Sequence, residues 1–182
     1  MQDYHEFLDE ILVPENLLQQ RITEMAAEIS QDFQGSDLHL ICILRGGIMF
    51  LTDLMRQITV PNTIDFMAVS SYGGARQTTG QVRITLDLKD DIQGRNVLLV
   101  EDIVDSGYTI ASVLDFLKTR HPKSLRVCTL LNKPDRREVD VQIDYCGFTI
   151  PNKFVFGYGL DMDEYYRNLP FIATVNLNRY HS

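Results

Sequence analysis

The chain has 182 residues, 45% of them hydrophobic and 23% charged. That is the size of one domain, and enough apolar surface to offset ordering entropy, which excludes disorder as a whole-chain description. With 17 basic and 25 acidic residues the formal charge is −8, which excludes a general nucleic-acid or acidic-membrane surface but leaves room for a local basic pocket.

No apolar run reaches bilayer length, and the opening Met1-Gln2-Asp3-Tyr4-His5-Glu6 lacks the layout of a secretion signal. Three cysteines, Cys42, Cys128 and Cys146, sit in apolar runs without metal-like spacing. They read as buried thiols of a cytoplasmic protein.

Over residues 15–33, Leu18, Ile22, Met25, Ile29 and Phe33 step by three and four, which predicts an amphipathic helix stopped by Gly35-Ser36-Asp37. Residues 38–44 form a short apolar run before Arg45-Gly46-Gly47 and read as a buried strand. Ile48, Leu51, Leu54, Met55 and Ile58 make a second helix face, broken at Pro61-Asn62, and residues 63–69 are the next strand. Residues 71–81 carry three glycines and little to bury, and read as a mobile loop. A β-rich segment over 82–88 and a turn at 90–94 lead to the continuous apolar strand 97–100, of the kind parallel sheets cover on both faces. A helix is predicted over 107–120, with Ile110, Val113, Leu114 and Leu117 inward, and strands over 125–131 and 141–150. Strands alternating with helices predict an α/β, doubly wound, mainly parallel sheet flanked by helices, with its core over about residues 15–150. From Pro151 the pattern turns aromatic and Gly-rich, which predicts a small accessory lobe.

In open parallel sheets, ligands bind beyond the carboxyl ends of the strands. The strand at 97–100 runs into Glu101-Asp102-Ile103-Val104-Asp105-Ser106-Gly107-Tyr108-Thr109. Ser106, Gly107, Tyr108 and Thr109 can offer successive N–H groups, two hydroxyls and the positive end of a helix dipole to an anion. That describes a phosphate monoester site, with Gly107 permitting close approach. Glu101 and Asp102 cannot bind phosphate themselves and suit a vicinal diol, held directly or through Mg²⁺. The alternative, that Asp105 and Ser106 only cap the helix, leaves the cluster of acids without a use.

Residues 100–109 resemble the phosphoribosyl-pyrophosphate signature of type I phosphoribosyltransferases. Ile43-Leu44-Arg45-Gly46-Gly47, Ser71-Tyr72-Gly73, Leu131-Asn132-Lys133-Pro134, and the stretch from Lys153-Phe154-Val155 through Asp161 to Tyr165-Tyr166-Arg167 narrow the resemblance to the hypoxanthine-guanine enzymes of purine salvage. The motifs occur in that family's order and span about residues 40–170. The resemblance implies one phosphoribosyltransferase domain over 1–182, its hood lobe built from about 151–182 and the N-terminal residues. It implies Mg²⁺-dependent transfer of the phosphoribosyl group from 5-phosphoribosyl-1-pyrophosphate to hypoxanthine or guanine, giving IMP or GMP and pyrophosphate. Its partners are then small molecules, not nucleic acid or membrane, and its assembly a homodimer or homotetramer.

The resemblance also implies roles. Asp105 is the general base at the purine N7, and Glu101 and Asp102 hold the ribose hydroxyls with Mg²⁺. Asp105, Ser106, Gly107, Tyr108 and Thr109 hold the 5′-phosphate. Leu44, Arg45 and Gly46, with a cis peptide between the first two, hold pyrophosphate together with Ser71, Tyr72 and Arg167. Lys133 donates to the purine 6-oxo group, which favours hypoxanthine or guanine over adenine. Phe154 stacks on the base, Val155 offers it backbone groups, and Asp161 ligates the Mg²⁺ that also binds pyrophosphate. Three rival readings fit less well, one of them an adenine or orotate enzyme of the same superfamily, which Lys133 and the Phe154-Val155 segment oppose. A nucleotide-sensing nucleic-acid regulator needs a basic face, and a phosphoryl-accepting receiver domain carries its acid pair on the first strand.

Overall fold

The computed structural model describes residues 2–71 and 82–180. In chain order they form α1 (Tyr4–Phe7), β1 (Leu8–Val13), α2 (Glu15–Asp32), β2 (Leu38–Leu44), α3 (Ile48–Gln57), β3 (Asn62–Ser71), β4 (Val82–Leu86), β5 (Asn96–Val104), α4 (Tyr108–Lys118), β6 (Ser124–Asn132), β7 (Tyr145–Thr149), β8 (Val155–Phe156) and β9 (Ile172–Val175).

The apolar runs of the central strands are continuous because both faces are covered. Leu40, Cys42, Leu98 and Val100 pack with the Leu18-Ile22-Met25-Ile29 stripe of α2 and with Phe50, Leu51 and Leu54 of α3. Their alternates, Ile41, Ile43, Val97 and Leu99, pack with Ile110, Val113 and Leu117 of α4.

The large sheet has six strands in the order β4-β3-β2-β5-β6-β7, parallel except for β4 against β3. From β2 the chain steps outward through α3 to β3, and from β5 it steps the other way through α4 to β6. The order therefore reverses between β2 and β5, which pair from His39↔Val97 to Cys42↔Val100. A crevice opens beyond the carboxyl ends of strands at such a switch point. Here the pairing of β2 with β5 ends at Cys42 and Val100, and the crevice opens where the two strands run on beyond it.

A second sheet, β1-β9-β8, joins the N-terminal strand to two strands beyond residue 151. It closes over Phe7, Phe156, Met162, Tyr166 and Ala173. The Tyr158 hydroxyl donates to Asp53 of α3, which also accepts from Gln19, and so ties this lobe to the large sheet.

The structure corrects several sequence expectations. β1 pairs with a strand some 160 residues away, so no local pattern announces it. Ile48 is 40% exposed, and Phe50 takes the inward place. The last strand of the large sheet starts at Tyr145 rather than at 141, because the Asp144 side chain takes the Val127 N–H that a strand carbonyl would otherwise receive. Cys42 and Cys128 are buried, but Cys146 is only partly so. Among the described residues no helix is long and apolar enough to cross a membrane.

Candidate active site

The turn leaving β5 is built around Gly107. Its φ of +94° lies in the left-handed region, and a Cβ there would meet the Val139 carbonyl oxygen at 2.4 Å, so the chain turns here only with glycine. For that reason α4 begins at Tyr108 and not at Gly107. The N-cap position is Gly107, which has no side chain to cap the helix with. The first intrahelical bond runs from Ala111 N–H to Gly107 O at 2.9 Å, which leaves the earlier N–H groups and the dipole directed out of the helix end.

Residues that sequence reasoning missed hold this loop from behind. Glu138 and Val139 donate N–H to Ser106 O at 2.9 and 3.0 Å. Arg137 donates through Nε to Asp105 O at 3.0 Å and through Nη2 to Asn132 Oδ1 at 2.6 Å. This backing occupies carbonyls of the loop and leaves its amides uncommitted. The adjacent arginines at 136–137 were the only signal available, and they look like ordinary surface charge.

Glu101 and Asp102 do not follow the strand but lie within it, since β5 runs on to Val104 and Glu101 pairs with Thr129. Both are buried. Burial, and then the neighbouring Asp102, push the Glu101 carboxyl well above the usual range. Burial pushes Asp102 up to about 6, against the Ile103 N–H that donates to Oδ1 at 2.8 Å and the positive charge of Arg167. Glu101 Oε2 is buried without a hydrogen-bond partner among the described residues. A buried carboxyl oxygen left open in this way calls for a hydroxyl or a cation.

Across the switch point the Leu44–Arg45 peptide is cis, as the resemblance implies. Gly46 lies directly on the acid ledge, where a Cβ would sit 1.6 Å from Asp102 Oδ2. Arg45 pairs with Glu164 at 2.8 Å. Arg167 pairs with Asp161 at 2.8 Å and Glu164 at 3.2 Å, and donates to Gly159 O.

A cleft of about 580 Å³ gathers Leu44, Arg45, Gly46, Glu101, Asp102, Thr109, Asp161 and Arg167. A second, of about 250 Å³, gathers Glu101, Asp105, Ser106, Gly107 and Thr109. Glu101 and Thr109 line both, so the acid ledge stands between an arginine-bearing pocket and an amide-lined one.

Asp105 has a half-exposed carboxylate whose buried Oδ1 makes no hydrogen bond and faces Arg136 Nε at 3.4 Å. Lys133, just past β6, is buried, with its N–H on Val104 O at 3.0 Å. Burial lowers the pKa of its ammonium while Asp105 opposes that shift. Phe154 is 49% exposed at the head of β8, and Val155 is buried and paired with Thr174. No hydrogen bond, ion pair or ring contact among the described residues joins either to Lys133. Ser71 ends β3 opposite Val82, and Tyr72 with the rest of the loop to residue 81 lies outside the described residues.

The donor set suits Mg²⁺, which takes one or two protein carboxylates and completes its shell with substrate oxygens and water. Glu101 and Asp102 offer such a pair, with one oxygen open. Asp161 is engaged elsewhere, by Arg167 and by the Glu164 N–H. Among the described residues no group of three His, Cys, Asp or Glu side chains converges on one point.

Residues 11–163 match the model of the phosphoribosyl transferase domain family. The chain is 48% identical over 170 residues to the hypoxanthine phosphoribosyltransferase of Salmonella typhimurium, covering 92% of this chain and 96% of that one. It is 52% identical over 172 residues to the hypoxanthine-guanine phosphoribosyltransferase of Mycobacterium avium, covering 91% and 85%. Its fold is similar to the crystal structure of a hypoxanthine phosphoribosyltransferase from Staphylococcus aureus, with a TM-score of 0.94, 42% identity, and 98% and 97% of the two chains covered. A crevice at the sheet's switch point, an acid ledge between an arginine-bearing pocket and an amide-lined one, and these likenesses converge: the chain belongs to the phosphoribosyl transferase family, on its hypoxanthine-guanine branch.

Proposed function

We propose that this chain is a purine-salvage enzyme, transferring the phosphoribosyl group from 5-phosphoribosyl-1-pyrophosphate to hypoxanthine or guanine and releasing pyrophosphate. The observation that carries the proposal is the Glu101-Asp102 ledge set between two anion pockets, because this substrate places a diol between a phosphate and a pyrophosphate. The uncapped start of α4 supports Asp105, Ser106, Gly107, Tyr108 and Thr109 as the 5′-phosphate cup. Arg45 and Arg167 bring guanidinium forks to the other pocket, with Leu44 and Gly46 supplying backbone and Ser71 and Tyr72 assigned to pyrophosphate by the resemblance.

Breaking the C1–O bond leaves oxocarbenium-like positive charge on the sugar. Glu101 and Asp102 put negative charge beside it, and Arg45 and Arg167 stabilise the departing pyrophosphate. Glu101 and Asp102 would hold Mg²⁺, Asp161 would add a ligand only on release from Arg167, and the ion would supply charge neutralisation to the leaving group. Asp105 takes the proton from the purine N7, and its half-exposed carboxylate is open to the base. Lys133 donates to the 6-oxo group, and its burial makes an ammonium without an oxo partner costly, which disfavours adenine. Phe154 offers an exposed ring for the base to stack on, with Val155 beside it.

The substrates are small molecules, and the place of action is the cytoplasm, in keeping with three cysteines free of disulfides. The assembly is a homodimer or homotetramer, which size-exclusion chromatography with light scattering would decide. The reaction itself is tested by following IMP formation from hypoxanthine. Activity is expected in the wild type and a loss of kcat of about 10²–10⁴-fold in Asp105→Asn, the usual worth of a general base. A protein making no IMP or GMP, or preferring adenine, would overturn the proposal.

A further inference from the structure

Glu164 carries none of the roles that the resemblance implies, yet it stands between the two arginines assigned to pyrophosphate. Its Oε1 accepts from Arg45 Nη2 at 2.8 Å, and its Oε2 accepts from Arg167 Nη2 at 3.2 Å. The guanidiniums come from distant parts of the chain, the turn after β2 and the segment before β9. One carboxylate spans them with one oxygen on each, as two oxygens of a single phosphoryl group would.

Its placement is enforced by the backbone. Asp163 and Glu164 have φ of 49° and 71°, in the left-handed region that residues with a Cβ rarely enter. The Glu164 N–H is held by Asp161 Oδ2 at 2.9 Å. Arg167 has little left to offer, since Asp161 Oδ1 and Gly159 O also occupy its fork at 2.8 Å each. An anion taking the Nη2 groups of both arginines would therefore displace the two Glu164 oxygens and meet the nearby charges of Glu164 and Asp161.

Resting on the assignment of Arg45 and Arg167 to pyrophosphate, we propose that Glu164 is an internal anion competing with pyrophosphate for these arginines. It thereby sets how tightly the pyrophosphate end of substrate and product is held, trading affinity for release. Exposed ion pairs each hold by a factor of about 1.5 to 5. Freeing both arginines should tighten pyrophosphate by roughly three- to tenfold.

The test is titration calorimetry of inorganic pyrophosphate with MgCl₂ onto the full chain, for wild type, Glu164→Gln and Glu164→Ala. KM values for 5-phosphoribosyl-1-pyrophosphate and for hypoxanthine are measured alongside. The expected result is a three- to tenfold lower Kd for pyrophosphate in both variants, a matching fall in the KM of the pyrophosphate substrate, and an unchanged KM for the purine. The advantage should shrink as salt rises, since these pairs are exposed. Equal or weaker pyrophosphate binding in folded variants would mean that Glu164 merely positions the arginines, and would overturn the inference while wild-type IMP formation left the function standing. A wild type that forms no nucleotide would sink both.

Discussion

Gly46→Ala removes no functional group, yet the structure makes it severe. The added Cβ would lie 1.6 Å from Asp102 Oδ2 and 2.6 Å from its Cγ, where ordinary contact starts at 3.4 Å. Either the carboxylate or the turn must retreat by about 1.8 Å. The carboxylate is buried and bound through Oδ1 to the Ile103 N–H at 2.8 Å. The turn is covered in its own right, because the Gly46 carbonyl lies so close to Gly159 that a Cβ on Gly159 would fall 2.1 Å from it. Overpacking of this kind costs about 1–3 kcal/mol, and misplacing a reacting group by 1 Å costs about 10²-fold in rate. Gly46→Ala should therefore lower kcat/KM for 5-phosphoribosyl-1-pyrophosphate at least about 100-fold, and Tm by roughly 2–12 °C for a chain of this size. A spectrophotometric assay of IMP formation and a thermal melt read both numbers. A variant within threefold of wild type at unchanged Tm would refute the claim that the turn rests on the acid ledge.

Asp102→Asn should separate stability from activity by pH. Burial places the folded Asp102 pKa at about 6, above its unfolded value of 3.8. A carboxyl raised in this way favours the fold when protonated, so its contribution is full below about pH 4 and lost as pH rises through 6. The amide variant should match the wild type in stability near pH 4 but exceed it at pH 7–8, by on the order of 2–3 kcal/mol, while losing activity. Parallel melting curves at every pH would show that Asp102 is not desolvated. Arg137→Ala should weaken IMP binding about tenfold or more, because charged hydrogen bonds of about 1.5–3 kcal/mol would no longer hold the loop, and Arg137→Lys should not restore it, lacking the fork. Undiminished IMP affinity in Arg137→Ala would remove that residue from the account.

What the sequence made legible was local. The helix stripes of α2 and α4, the apolar runs of β2, β5 and β6, and the turn at 106–109 each declare themselves within a dozen consecutive residues. The acids at 101–102 were found but misplaced, since Glu and Asp are poor strand residues and hide the continuation of a strand through them. What stayed hidden joins residues far apart in the chain. Arg45 meets Glu164 across 119 positions, Tyr158 meets Asp53 across 105, and Arg137 reaches back 32 to Asp105. The reason for Gly46 is of the same kind, because its neighbour Asp102 becomes visible only once β2 and β5 lie side by side. Ion pairs of this sort look in one dimension like solvated surface charge.

The most direct measurement is a crystal structure of the chain with IMP. The account predicts the phosphoryl oxygens within about 3.2 Å of the backbone N–H groups of residues 106–109, with the ribose hydroxyls over Glu101 and Asp102. A phosphoryl group bound anywhere else would contradict it.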